Sequence, residues 1–314
     1  MVLRYLQIII KSEKLIFMQV DNYFGCRYPI VCMAMNKVSD LNLALAVRRA
    51  GALPSLSIFN YNNIDLLEQD LIDYKRTFND LKILLSISVK ELIELSICNL
   101  IIKYKVEFLE LIQDTPGEDI NRASPEEIAI KKQIEKENLK FLRNNNIIVF
   151  LKISAVKKID YEVDGVILKG QEGAGRGNFS LENLFAYIKE YNSKLLIIAS
   201  GGIGNSKQIK YYIDNGAIGV GIGTMFAVSE ESKISKETKL KMIAATSNDI
   251  TRFTTGSAQN ALVFEELSND TFNHSFGLAA GVTGATSGHI LVGKSIDYIN
   301  SIKPVAEIIE QLIE

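Results

Sequence analysis

Apolar residues fall along this chain in two alternating patterns. Short unbroken runs recur at Tyr28–Ala34, Leu53–Phe59, Leu81–Ser88, Val106–Ile112, Ile147–Ile153, Gly165–Lys169, Leu195–Ala199 and Gly216–Ile222. Between them lie stretches with apolar positions three and four apart: Asp40–Ala50, Ile64–Asn79, Val89–Tyr104, Pro125–Asn144, Leu181–Tyr191 and Asn205–Asn215. A short helix is also expected between Ile153 and Gly165. The unbroken runs read as strands buried on both faces, as parallel strands are, and the spaced pattern reads as helices with one packed face. Pro29 opens the first run, where a missing N–H is harmless. Ser39 is placed to cap the first helix and Gly51 to end it. Eight β–α alternations between Tyr28 and about Ser229 select an α/β fold closed as a (β/α)8 TIM barrel. A doubly wound open sheet would want a Gly-rich turn after the first strand. The first run ends instead in Met33-Ala34-Met35-Asn36.

The remainder, Glu230–Glu314, breaks the alternation. Lys233–Asn248 reads as an amphipathic helix and Phe253–Ser268 as a mixed segment. Asn273–Gly293 is rich in Gly, Ala, Ser and Thr, and Ser301–Glu314 reads as a final helix with Ile302, Val305, Ile308 and Ile309 on one face. The expected organisation is an extension over residues 1–20, a barrel over 21–229, and a helical and Gly-rich segment over 230–314. That last segment is expected to cover the mouth or side of the barrel and help close the site.

Composition narrows the class. Of 314 residues, 47% are apolar and 23% charged, which supports a large core and argues against disorder. The formal net charge of -2 gives no reason to expect nucleic acid or an anionic membrane as partner. Three dispersed cysteines (Cys26, Cys32, Cys98) without metal spacing favour a reducing compartment, and a cytoplasmic location is expected. Within Met1–Val20 the apolar run Tyr5–Ile10 is broken by Lys11, Glu13 and Lys14, so it is shorter than a secretory core. Met1 and Met18 are alternative starts. No stretch approaches the ~20 apolar residues of a membrane span.

The candidate chemistry concentrates at Leu195–Phe226. Each of its two apolar runs ends in a glycine-bearing turn, at Gly201-Gly202 and Gly223-Thr224. Glycines let the backbone approach a bound group closely, and two such turns on neighbouring parallel strands make a phosphate cradle. Barrel sites lie at the C-terminal strand ends. That rule adds Met33–Asn36, Ser86, Ser88, Gln113, Asp114, Lys152, Ser154 and the loop Lys169–Arg176. Isolated methionines are more often core than contact, and Ser86 and Ser88 can simply end a strand. Lys152 closes the run IIVFL, where a solvated lysine is less expected. Glu172 and Arg176 sit in a glycine loop too long for a simple turn, whereas Asp114, Glu118 and Asp119 can simply solvate theirs. The two histidines, His274 and His289, fall outside the barrel strands, where a lone histidine is more often structural. G-x-S-x-G, H-E-x-x-H, paired C-x-x-C and the P-loop pattern are absent.

Three segments in order resemble the nitronate monooxygenases, formerly 2-nitropropane dioxygenases. YPIVCMAMNKVSDLNLALAVRRAGALPSLS is similar to their opening strand and helix, DGVILKGQEGAGRGN to their mid-barrel glycine loop, and IIASGGIGNSKQIKYYIDNGAIGVGIGTMFAVSEES to their FMN phosphate site. The resemblance implies non-covalent FMN in the barrel mouth, oxidation of nitronates through the flavin, and O2 as the oxidant. It implies that Ala34 and Met35 lie against the flavin and that Ser86 is a polar contact. It implies that Lys152 stabilises the electron-rich end of the ring. Ser200, Gly201, Gly202, Gly223 and Thr224 match the phosphate site, with Gly175 beside them in the glycine loop. Ala34 replaces a proline of that pattern, and Arg176 follows Gly175 where the pattern has a histidine that removes the α-proton of a neutral nitroalkane. Arginine stays protonated and cannot act as that base, but it can bind an anionic nitronate. Neutral nitroalkane turnover is therefore expected to be weak or absent unless His274 or His289 supplies the base. Related members are NAD(P)H:quinone and enoyl reductases, so a quinone or nicotinamide partner, or a non-catalytic flavin- or phosphate-binding barrel, is the alternative. A homodimer is compatible with each.

Overall fold

The computed structural model describes residues 23–113, 124–191, 194–253, 259–263, 274–284 and 288–314. The expected extension over 1–20, the loop acids Asp114, Glu118 and Asp119, and parts of the segments 253–268 and 273–293 lie outside the described residues.

The apolar runs form strands β1 (Ile30–Cys32), β2 (Ser55–Ser57), β3 (Leu84–Ser88), β4 (Phe108–Ile112), β5 (Ile148–Ile153) and β6 (Gly165–Lys169). After a two-residue strand, β7 (Gly175–Arg176), come β8 (Leu196–Ser200) and β9 (Gly219–Ile222). All but β7 join one parallel sheet in the order β1-β9-β8-β6-β5-β4-β3-β2. The seam between β1 and β2 is closed by Leu53, whose N–H donates to Ile30 O and whose carbonyl accepts from Cys32 N, both at 2.9 Å. The expected (β/α)8 TIM barrel is thus the observed fold. Phe24, Phe108 and Phe150 fill its lower interior with Leu53, Leu84, Ile167 and Ile198. Glycines in the strands make the room: a Cβ on Gly219 would stand 2.5 Å from the Phe24 ring, and one on Gly165 2.7 Å from that of Phe150.

Helices α1 (Leu41–Arg49), α2 (Ile64–Phe78), α3 (Leu95–Tyr104), α4 (Pro125–Asn144), α5 (Leu181–Tyr191) and α6 (Ser206–Asp214) alternate with the strands. Their starts follow from short polar side chains. Ser124 and Glu127 form a capping box with Pro125 in the first turn of α4, and Asn205 caps α6 by accepting from Gln208 N. Three expectations change. Asp40, not Ser39, caps α1, because the Ser39 hydroxyl is engaged by Met35 N at 2.9 Å. The helix expected over Val89–Tyr104 is split by extended Glu94 into a tight turn, Val89–Ile93, and α3. No helix lies between β5 and β6, among residues 154–164. There Ile159, Tyr161 and Val163 fall on alternate positions and pack on the barrel exterior, which suits an extended crossing. Asp164 anchors its end by accepting from Arg143 at 2.9 Å and from Val149 N at 2.9 Å.

The C-terminal region contributes α7 (Thr224–Ala227), α8 (Lys236–Ala244), β10 (Thr251–Phe253), β11 (Gln259–Val263), α9 (His274–Thr283), β12 (His289–Leu291) and α10 (Val305–Ile313). Strands β10, β11 and β12 form an antiparallel sheet that β7 joins by pairing with β11. It covers an apolar cluster of its own, with Val38, Val228, Met242, Leu262, Ile290 and Val292. Helix α10 does not belong to that cluster. It packs on α1 and α6, and its residues Val305, Ile308, Ile309, Leu312 and Ile313 join the main core.

Ile309 is fully buried in this contact. Replacing it with Ala removes buried methylenes, so I309A is expected to cost about 2–5 kcal/mol. Urea unfolding followed by far-UV circular dichroism checks this against Glu307→Ala, on the exposed face of the same helix, which should leave the midpoint nearly unmoved.

Candidate active site at the barrel mouth

Inward-facing positions alternate along each strand, and toward the C-terminal ends they turn from apolar to polar. Ser86 on β3, Glu110 on β4, Lys152 on β5, Lys169 on β6 and Ser200 on β8 make an upper polar layer. Glu110 lies level with Ser86 and with Phe150 in the ladder, and Lys169 level with Ser200. Glu110 has no exposed surface, and a carboxylate in such a place is stable only with a cation against it. Lys152 supplies it, Nζ to Oε1 at 2.8 Å. The Ser86 hydroxyl is buried with no hydrogen-bond partner among the described residues, which marks a polar atom waiting for a ligand.

Lys169 stands at the rim of this layer, half-buried. Burial first, then the charge of Lys152, lower its amine to about 7; Glu110 opposes this and Arg176 adds to it. Lys152 and Arg176 thus both bear on the Lys169 amine at the mouth, opposed by Glu110.

The cradle is built backbone against backbone. Gly201 and Gly202 have φ of +132° and +71°, which side chains rarely adopt. A Cβ on Gly201 would stand 2.9 Å from Gly170 N, and one on Gly202 2.7 Å from Glu172 Cβ. The turn after β8 is thus pressed onto the loop after β6, and Gly170 N also donates to Ser200 O at 2.8 Å. Across the mouth Gly223 is open: a Cβ there would meet nothing nearer than Met35 Sδ at 3.7 Å. Ala34 and Met35 are half-buried beside it. A cavity of about 470 Å³ lies against the Gly201-Gly202 turn and brings Lys207 and Lys294 to it, with Glu172 and Asp297. Gly293 N donates to the Thr224 hydroxyl at 3.0 Å and Lys294 N to Glu172 O at 2.8 Å, so the segment after β12 straps the cradle.

Of the residues singled out in the sequence, the fold gathers Ala34, Met35, Ser86, Lys152, Gly175, Arg176, Ser200–Gly202, Gly223 and Thr224 at one barrel end. Arg176 is exposed, and its backbone pairs with Gln259 of β11. His289 is fully buried in β12, opposite Val263, and His274 opens α9. Glu172 turns its carboxylate to Leu181 N at 3.0 Å and caps α5. Glu110 and Asn260 were not singled out. Asn260 fixes the glycine loop by donating from Nδ2 to Gln171 O and Gly173 O, the latter at 2.9 Å. A charged residue between leucines in the run FLELI was the available signal for Glu110; Asn260 had none, because its role depends on a long-range pairing.

The nitronate monooxygenase family model matches residues 19–314. The putative nitronate monooxygenase of Saccharomyces cerevisiae is 30% identical over 142 residues, covering 34% of this chain and only about a third, 35%, of that relative. The structure is similar to that of FabK from Thermotoga maritima (TM-score 0.74, 21% identity, 94% of each chain). It is also similar to nitroalkane oxidase from Streptomyces ansochromogenes (TM-score 0.70, 18% identity, 91% of this chain and 95% of that one). No helix among the described residues is long and apolar enough to cross a membrane. A family match across nearly the whole chain, on a barrel whose mouth carries this polar layer, makes the chain an oxidoreductase that belongs to the nitronate monooxygenase family.

Proposed function

We propose that this chain is an FMN-dependent oxidoreductase that oxidises small nitronates, with O2 as the electron acceptor. The observation that carries the reading is the charge of the mouth. Two cations, Lys152 and Arg176, stand there within reach of the Lys169 amine, and the buried carboxylate of Glu110 is already held by Lys152. Such a site favours an anion, and a nitronate is one.

The residues present fit FMN. The orphaned Ser86 hydroxyl suits a flat polar ring, and the open backbone at Gly223 and the Gly201-Gly202 turn with Lys207 and Lys294 suit a phosphate. When bound, FMN would supply the two-electron acceptor that no side chain here provides. Gly201, Gly202, Gly223 and Thr224 would hold the phosphate end, with Ser200 beneath them. Ala34, Met35, Ser86 and Gly175 would line the ring, and Lys152 would set a positive charge near it. Arg176, exposed at the rim, would hold the substrate anion by charge-assisted hydrogen bonds. A nitronate arrives already deprotonated, so this reaction asks no base of the protein.

Mixing FMN-loaded protein with propionate-3-nitronate without oxygen should bleach the flavin absorbance, and admitting air should restore it. Absence of bleaching, with rapid bleaching by NADH or NADPH, would assign a quinone or enoyl reductase instead. Yellow protein inert to all of these would be a non-catalytic binding barrel. Arg176→Met removes a charge-assisted contact, so the KM for the nitronate should rise about tenfold, the effect of ~1.4 kcal/mol. Gly202→Ala places a side chain on left-handed backbone at a cost of about 1–2 kcal/mol. Flavin titration by fluorescence quenching should then show FMN affinity lowered by about tenfold.

A further inference from the structure

Nitronate oxidation leaves Lys169 without a task, yet the fold places it carefully. It is the last residue of β6, two positions past Ile167, the ladder partner of Lys152. Its amine lies 3.2 Å from where a Cβ on Gly175 would stand, so it reaches the residue just before Arg176. The carboxylate of Glu110 is taken by Lys152 at 2.8 Å, and among the described residues Lys169 has no ion-pair or hydrogen-bond partner. Among the described residues, the charged groups that face it are Lys152 from β5, Arg176 from β7 and Glu110 from β4. Glu172, in the same loop, is turned away to cap α5.

We propose that Lys169 Nζ accepts the α-proton of a neutral nitroalkane in this mouth while Arg176 holds the nitro group. This rests on the nitronate-oxidising reading of the same site. The lone pair of the neutral amine takes the proton. The C–H electron pair becomes the C=N bond of the nitronate, and the negative charge moves to the nitro oxygens beside Arg176. Lys169 leaves the step as an ammonium and returns its proton to water. Burial and the neighbouring cations make the neutral amine available: with the group titrating at about 7, half of it carries a lone pair at neutral pH. An ordinary lysine, titrating near ~10.4, would be almost wholly protonated there. Arg176 cannot take a proton, but it can stabilise the anion that Lys169 creates. Turnover of neutral nitroalkanes, expected from the sequence to be weak, is thereby restored without a histidine.

The test separates proton transfer from oxidation. FMN-loaded full-length protein is held anaerobically with nitroethane in D2O, and loss of the α-proton signal is followed by NMR. Exchange should be accelerated, rising with pH through about 7 and levelling above it, because the base is active only when unprotonated. Lys169→Arg and Lys169→Met should each lower exchange by about a hundredfold or more, the usual contribution of a positioned base. Both should lower it far more than they lower flavin bleaching by propionate-3-nitronate. A second readout needs no flavin: competitive acetylation of the full chain across pH, read by peptide mass spectrometry, should place half-reaction of Lys169 near 7. Exchange that survives in Lys169→Arg, or a Lys169 that titrates with the exposed lysines, overturns the proposal. Bleaching by nitronate with no accelerated exchange in the parent protein overturns it too, and leaves the oxidase reading standing. Exchange that depends on Lys169, without bleaching by any nitronate, supports the base and sinks the oxidase reading.

Discussion

A carboxylate sealed inside a parallel barrel has to be matched by a cation, and the pairing of Glu110 with Lys152 is the constraint from which the rest of the mouth follows. Taking either charge out of water costs several kcal/mol, which close contact with the other offsets only in part. A hydrophobic pair at these positions would serve stability at least as well. The pair is better understood through what it leaves behind. It uses the Glu110 carboxylate, so among the described residues Lys169 is left without an ion-pair partner beside it. The same arrangement depresses the Lys169 amine, since burial and Lys152 act on it together.

The second constraint is mechanical. Turns after β6 and β8 meet backbone to backbone at Gly170, Gly173 and Gly201, and Gly202 lies against the Glu172 side chain. A single pair of loops at that separation would be easily deformed. Asn260 and the β7–β11 pairing lock the first, and the strap through Gly293 and Lys294 ties it to Thr224. The small antiparallel sheet is therefore a brace for the loop that carries Gly175 and Arg176. It also explains why Arg176 is exposed yet placed: its backbone is held in a ladder while its side chain stays at the rim.

Much of this was legible in the chain. Unbroken apolar runs separated by helical spacing gave the barrel, because parallel strands covered on both faces must be apolar throughout. The glycine turns gave the cradle, because positive φ and close approach leave few other residues possible. The errors share a cause. Ser39 and Asp40 are both good caps, and only the Met35 contact decides between them. Residues 154–164 have apolar positions that suit an extended crossing, and the expectation of a helix came from the alternation rather than from them. Lys169 lay inside the glycine loop already singled out, but its depressed amine arises first from burial and then from Lys152 on the preceding strand, and local pattern carries no trace of either.

The seam of the barrel joins segments far apart in sequence. Strand β1 pairs with β9, and α1 is covered by α10, which follows all of the bracing sheet in sequence. During synthesis α1 emerges with part of its apolar face bare and keeps it so until residues 305–313 have left the ribosome. Docking of α10 thus follows closure of the β1–β9 seam, and a nascent chain stalled before residue 305 would present an open groove between α1 and α6. In that groove the cell's quality control has a direct report on whether synthesis has passed the bracing sheet.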